Sequence, residues 1–177
     1  MRFKSKEIGE EGLPLNLPVS AAFVAEHCPH LGAVPGPKGI FVRGQLLRTG
    51  DDLYLRGRLQ GSLQTTCARC LEKAVVGLDF PLSVSFVARA EGEPEPEPEE
   101  DDVDVAFFTG DEVDLGPEIR DQILLAFPIN PVCALDCGGI CPVCGGNRNQ
   151  IPCSCVAEQG DVLTANPLAT ALRKLKM

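Results

Sequence analysis

The chain has 177 residues, 44% of them apolar, with 9 cysteines, 2 histidines, no tryptophan and a formal net charge of −9. That length suits one domain or two small lobes, and the apolar fraction is ordinary for a globular protein, which excludes wholesale disorder. No apolar run approaches the roughly 20 residues of a membrane span, the first residues lack the apolar stretch of a secretory signal, and the acidity argues on its face against a nucleic-acid partner.

In chain order, Ser20 to Cys28 predicts one short helix with Ser20 as its N-cap. Glycines and prolines between Gly32 and Gly39 mark a loop. Ile40 to Arg48 reads as a strand and Thr49 to Asp52 as a turn. In the next strand Leu53, Leu55, Leu59, Leu63 and Thr65 share one face, and Tyr54, Arg56, Arg58, Gln60, Gln64 and Thr66 share the other. Gly57 and Gly61 fall in the apolar phase and predict bulges or tight bends. A partner strand from Ala74 to Val87 has Val76, Leu78, Phe80, Leu82, Val84 and Phe86 in phase. The expected fold class is α+β: a small curled antiparallel β-sheet lobe, a partial barrel, plus a helical, cysteine-rich, zinc-binding C-terminal part.

From Glu91 to Asp104 nine of fourteen residues are acidic and three are proline, which predicts a disordered, self-repelling linker. Without it the chain is neutral, with 16 basic against 16 acidic residues. The expected organisation is a mainly β lobe over 1–90, the acidic linker over 91–104 and a helix and zinc-loop lobe over 105–177. Beyond the linker a strand runs through Phe108, and Asp114 caps a helix that carries Pro117 in its first turn. Ile119, Ile123, Leu124 and Phe127 give that helix its apolar stripe. A last helix is capped by Asn166 and carries Leu168, Leu172 and Leu175.

Eight of the nine cysteines come in close pairs: Cys67 and Cys70, Cys133 and Cys137, Cys141 and Cys144, Cys153 and Cys155. Without a secretory signal, such pairs point to metal ahead of disulfides or a redox dithiol. Two four-thiolate sites suit zinc, and complete thiolate sets leave no open position for catalysis. One solution joins Cys141, Cys144, Cys153 and Cys155 locally and leaves Cys67 and Cys70 to meet Cys133 and Cys137 across the linker, clamping the lobes. Exchange of pairs between the two sites is the alternative. His27 and His30 have no partners in the sequence and read as ordinary histidines, and Cys28 lies outside the pairs.

Arg43, Arg48, Arg56, Arg58, Arg69 and Lys73 come from the β ribbon or its turn. They form a candidate RNA-binding face, with a plain solvated strand face as the alternative. No nucleophile elbow, Walker loop or dinucleotide fingerprint is present, so an enzyme is not expected.

Several segments together carry a family resemblance. They are Cys67-Ala-Arg-Cys70-Leu-Glu, Val113-Asp-Leu-Gly-Pro-Glu-Ile119, Gln122-Ile-Leu-Leu-Ala-Phe-Pro128, Pro131-Val-Cys133, Cys137-Gly-Gly-Ile-Cys141-Pro-Val-Cys144-Gly, Asn147-Arg-Asn149 and Asn166-Pro-Leu-Ala169. In this combination, over roughly residues 40–177, the chain resembles the bacterial YceD-like family of large ribosomal RNA subunit accumulation proteins. The resemblance implies a cytoplasmic, non-enzymatic factor for 23S rRNA accumulation or processing and large-subunit biogenesis. Its implied partners are precursor 23S rRNA or large-subunit ribosomal proteins, with no membrane and no small-molecule substrate. Shorter relatives keep the first cysteine pair and a Cys/His pair at the positions of Cys133 and Cys137 but lack the later loop, which supports the pairing across the linker. Ile140 stands where that family usually has Leu, and Arg148 likewise. The alternative reading is a zinc-stabilised protein–protein adaptor without RNA contact.

Overall fold

The computed structural model describes residues 1–9, 11–90, 104–151 and 153–155. Its strands are β1 (Arg2–Lys4), β2 (Leu13–Pro18), β3 (Val34–Thr49), β4 (Asp52–Thr66), β5 (Lys73–Arg89), β6 (Val105–Thr109) and β7 (Glu112–Asp114). Two α-helices are present among these residues, α1 (Ala21–His27) and α2 (Gly116–Ala126), with short 3-10 turns at Ser5–Glu7 and Pro29–Leu31.

The alternating strands pair as their periodicity requires. β4 and β5 run antiparallel from Leu53 opposite Phe86 to Thr66 opposite Lys73. Leu53, Leu55, Leu59 and Leu63 are each at most 1% exposed, and each contributes about 1.5–3 kcal/mol relative to an exposed side chain. Leu82, Val84 and Phe86 join them from β5, whereas Phe80, in the same phase, is exposed. Buried Ile119 and Ile123 place one face of α2 in the same core, together with Val24 of α1.

Among the described residues the main sheet has five strands in the order β2-β3-β4-β5-β6. Only β5 and β6 are parallel, from Ser85 opposite Val105 to Arg89 opposite Thr109. The sheet is therefore open, with β2 and β6 as its edges, and the expected partial barrel is not closed. β2 carries Pro14 and Pro18, residues that an edge strand tolerates because one side of its backbone needs no partner. β1 and β7 form a separate two-stranded sheet, Arg2 opposite Asp114.

The loop expected between Gly32 and Gly39 is strand from Val34 onward, with a register shift between Pro35 and Ile40. Gly61, opposite Ile40 at this irregularity, has φ +145°, where a side chain would run into the Gly39 carbonyl. The buried Ser62 hydroxyl accepts a hydrogen bond from Lys38 N at 3.3 Å and satisfies the shifted backbone. Gly44 and Gly57 face one another across β3 and β4, and a Cβ on Gly57 would lie 2.5 Å from the Arg43 carbonyl oxygen.

Ser20 caps α1 as expected, its Oγ accepting from Phe23 N at 3.1 Å. At α2 the capping residue is Leu115, one position later than predicted, but Asp114 Oδ1 still accepts from Gly116 N at 2.9 Å. The same carboxylate faces the Met1 ammonium at 2.6 Å and Arg2. Burial opposes these contacts at Asp114, yet the ammonium, the Gly116 N–H and Arg2 hold its carboxyl below the usual range.

The chain groups into two compact units. One takes in residues 1–68 and 72–135, the other residues 69–71 and the chain from Asp136 onward. The sequence reading put residues 105–177 in one lobe; here β6 joins the main sheet, and residues 105–135 belong to the first unit. Of the helical character expected over 105–177, α2 is present and lies in the first unit, while the described residues after Asp136 form turns and one isolated bridge between Ile140 and Asn147. The acidic stretch over 91–103 and the helix expected after Asn166 lie outside the described residues. Among the described residues no helix is long and apolar enough to cross a membrane.

Candidate metal centres

The hairpin between β4 and β5 closes with a hydrogen bond from Cys67 N to Glu72 O at 2.7 Å. Its tight path puts Leu71 at φ +62°, and both Cys67 and Cys70 are buried. A second local bond, Ala68 N to Pro131 O at 2.7 Å, anchors the segment leading to Cys133. The Sγ atoms of Cys67, Cys70, Cys133 and Cys137 all lie within 4.8 Å of one another. Those of Cys141, Cys144, Cys153 and Cys155 form a second group within the same limit. Of the pairings the spacing left open, the geometry is that of the local loop plus the pairing across the acidic stretch.

A tetrahedral ion with metal–sulfur bonds of about 2.3 Å holds its sulfurs about 3.8 Å apart. Four sulfurs converging on one point suit an ion better than a disulfide, which uses two. Each group can therefore hold one metal ion, and a full thiolate set leaves no position for a reacting water.

The peptide around the second group is already shaped for negative sulfur. The N–H groups of Cys144 and Val143 bond Cys141 Sγ and bring its thiol down to about 6. Cys155 moves the opposite way, to about 11, through its hydrogen bond with Cys144, burial and the charges of Cys144, Cys141 and Cys153. One thiolate is favoured and a further one is penalised, which is the imbalance a divalent cation removes. Gly145, at φ +70°, supplies the turn, with its N–H on Cys141 O at 2.9 Å and Cys141 N on Gly146 O at 2.8 Å.

At the first group the sequence reading quoted Asn149 but gave it no role. Its Nδ2 donates to Cys137 Sγ at 3.3 Å, while its Oδ1 accepts from Gly138 N at 2.7 Å. Asn147 Oδ1 in turn receives Asn149 Nδ2 at 2.9 Å. Arg148, the departure from the family pattern, contributes its backbone N–H to Gly139 O.

The six basic residues do not form one face. Arg43, Arg56, Arg58 and Lys73 share the outward phase of the sheet, but Lys73 lies at the far end of β5. Arg48 pairs with buried Leu53 on the opposite phase and bonds Gly50 O at 2.9 Å. Arg69 donates from Nη1 to Cys137 O at 3.2 Å, and its carbonyl receives Ile140 N, so it braces the cysteine loop. Sequence reasoning missed Arg89, whose guanidinium lies over Phe107 at 5.3 Å. Its place on the polar phase of β5 was the available signal. Cys28 is buried inside the first unit, which pushes its thiol up, and His27 stacks against Phe23 at 4.4 Å.

A family model described as "Large ribosomal RNA subunit accumulation protein YceD" matches residues 55–176, a span that includes all eight paired cysteines. A Zea mays protein, "Large ribosomal RNA subunit accumulation protein YCED homolog 1, chloroplastic", is 30% identical over 137 residues, 77% of this chain and 41% of its own length. An Arabidopsis thaliana protein with the same description is 38% identical over 50 residues, 28% of this chain and 16% of its own length. The chain thus spans less than half the length of these curated relatives. No solved structure matches significantly.

Proposed function

The chain belongs to the YceD family of large ribosomal RNA subunit accumulation proteins, and on that premise we propose that it is a zinc-binding, non-enzymatic cytoplasmic factor supporting 23S rRNA accumulation and large-subunit biogenesis. The observation that carries the reading is the run of the family match through both cysteine tetrads. The donor sets favour zinc: eight sulfurs in two groups of four, with N–H groups aimed at Cys141 and Cys137 sulfur. Zinc at such sites supplies folding energy, on the order of 10–16 kcal/mol per structural ion in small zinc domains.

In this reading Cys67, Cys70, Cys133 and Cys137 hold one ion and Cys141, Cys144, Cys153 and Cys155 the other. Arg69, Asn147 and Asn149 fix the first set. The protein then acts by holding precursor rRNA or a large-subunit protein. The test is depletion of the protein in its host, followed by quantification of 23S and 16S rRNA, together with metal analysis of the purified chain. Selective loss of 23S rRNA and a zinc content near two per chain are expected. Unchanged 23S rRNA, or zinc near zero after zinc-replete purification, sinks the proposal.

A further inference from the structure

We infer that the outward face of the five-stranded sheet, where Arg43, Arg56, Arg58 and Arg89 stand among the rings of Phe41 and Phe107, is a platform for single-stranded RNA. This rests on the ribosomal RNA reading above for the choice of RNA over other polyanions. It replaces the six-residue patch expected from the sequence with a set defined by strand register.

The register puts these side chains on one face. Asn16, Arg43, Arg58 and Pro81 lie opposite one another across β2 to β5, and Gln45, Arg56 and Ser83 form the adjacent row. Contacts within and between rows share that side. Arg43 Nε donates to Asn16 Oδ1 at 3.4 Å, and Tyr54 Oη meets Ser83 Oγ at 2.5 Å. Farther along, Arg89 covers Phe107, and at the other end Arg43 covers Phe41 at 5.2 Å.

Two features separate this face from an ordinary solvated strand surface. The first is its charge. In a chain of net −9, these rows carry, among the described residues, four arginines with Asp79 and Asp52 beside them, and Asp52 is engaged with Ala88 N at 3.0 Å. Arg43 and Arg58 stand directly opposite each other, a like-charge pairing that destabilises a sheet. Arg56, one row away and exposed, has no ion-pair or hydrogen-bond partner among the described residues. Phosphates would relieve that repulsion.

The second is the half-buried rings of Phe41, Tyr54 and Phe107 between the guanidiniums. Bases stack on aromatic and guanidinium planes, which requires them to be unpaired. A sheet face offers no helix or finger to enter a groove, so a duplex fits it poorly. An acidic protein segment could answer the charge but would leave the rings without a role.

The test is fluorescence anisotropy of a labelled mixed-sequence RNA of about 12 nucleotides, single-stranded or annealed to its complement, titrated with the full metal-loaded chain. The single strand should bind more tightly than the duplex. Its affinity should fall with salt at a log–log slope near −3, from four arginine contacts at about −0.7 each. R56Q should lower that slope by about 0.7. F107A should weaken binding roughly fivefold or more with the slope unchanged. D79N should release Arg58 and tighten binding, a gain that a purely structural role for the pair would not produce.

Wild-type affinity in an R43Q/R56Q/R89Q chain that retains its thermal unfolding transition overturns the platform. So does a duplex bound as tightly as the single strand, or competition by polyglutamate as effective as by RNA. Rescue experiments separate this inference from the family reading. If the triple variant restores 23S rRNA in depleted cells, only the platform falls; if depletion leaves 23S rRNA unchanged, the ribosomal reading falls.

Discussion

Arg58 Nε and Nη2 both lie 2.9 Å from Asp79 Oδ1, and Gln60 Nε2 reaches the same oxygen at 3.2 Å. One carboxylate thus ties β4 to β5 on a face where, among the described residues, the other charges between the strand ends are arginines. Hydrogen bonds from Arg58 and Gln60 hold the Asp79 carboxyl below the usual carboxylate range. A depressed carboxyl stabilises the fold above its unfolded value, and that contribution is lost as pH falls through its folded value. D79N should therefore unfold at slightly lower urea than wild type at neutral pH, and the gap should close in acid. Paired urea titrations check this; a gap that persists in acid contradicts the assignment.

The glycines of β4 and β5 should respond unequally to alanine. G61A meets a strained φ and the Gly39 carbonyl, and should cost about 1–3 kcal/mol. G57A drives its Cβ against the Arg43 carbonyl and Gly44, with a cost of about 1–3 kcal/mol from overpacking. Gly77 has open space around its Cα, so G77A should be neutral or stabilising by about 0.5 kcal/mol. Chemical denaturation of the three variants distinguishes these positions.

Metal content should divide by tetrad. C67S and C141S should each lower zinc from two ions per chain toward one, because each removes a ligand from a different group of four. Loss of both ions in either single variant would show that the groups are not independent. Plasma emission spectrometry on purified protein reads the ratio directly.

Asn149 should act on the first tetrad alone, since its amide donates to Cys137 Sγ. N149A should weaken metal retention there by about 10–100-fold, the usual effect of losing a group that orients a ligand. A chelator competition that resolves two release phases should show one accelerated and the other unchanged.

Truncation in the shared core tests the packing of α2. Ile119 and Ile123 are fully buried, so I123A should cost about 2–5 kcal/mol. Leu125, on the same helix but 80% exposed, should tolerate alanine within about 0.5 kcal/mol.

What the sequence made legible follows from how local each signal is. The alternation of Leu53 to Leu63 and of Leu78 to Phe86 identifies strands and their buried faces, because side-chain direction repeats every two residues. The cysteine pairs identify ligands for a similar reason: a short spacing brings two sulfurs together whatever the rest of the chain does. β2 was missed because Pro14 and Pro18 argue against a strand until it is known to be an edge. The three-residue strands β1 and β7 are too short for any period. Partnership is the least local property. Nothing in Val105 to Thr109 states that it lies parallel to β5, and Arg48 looks equivalent to Arg43 until register places them on opposite faces.

The pairing of Arg2 with Asp114 also sets a timetable. The meander from β2 to β5 can close as each hairpin leaves the ribosome, but β1 has no mate until more than a hundred further residues are made. At roughly 5–20 residues per second that delay is about 5–20 s. Cys67 and Cys70 wait in the same way for Cys133 and Cys137. The nascent chain therefore carries its first strand unmatched for more than a hundred residues of synthesis and its first thiol pair for about sixty, so both wait on segments made well after them.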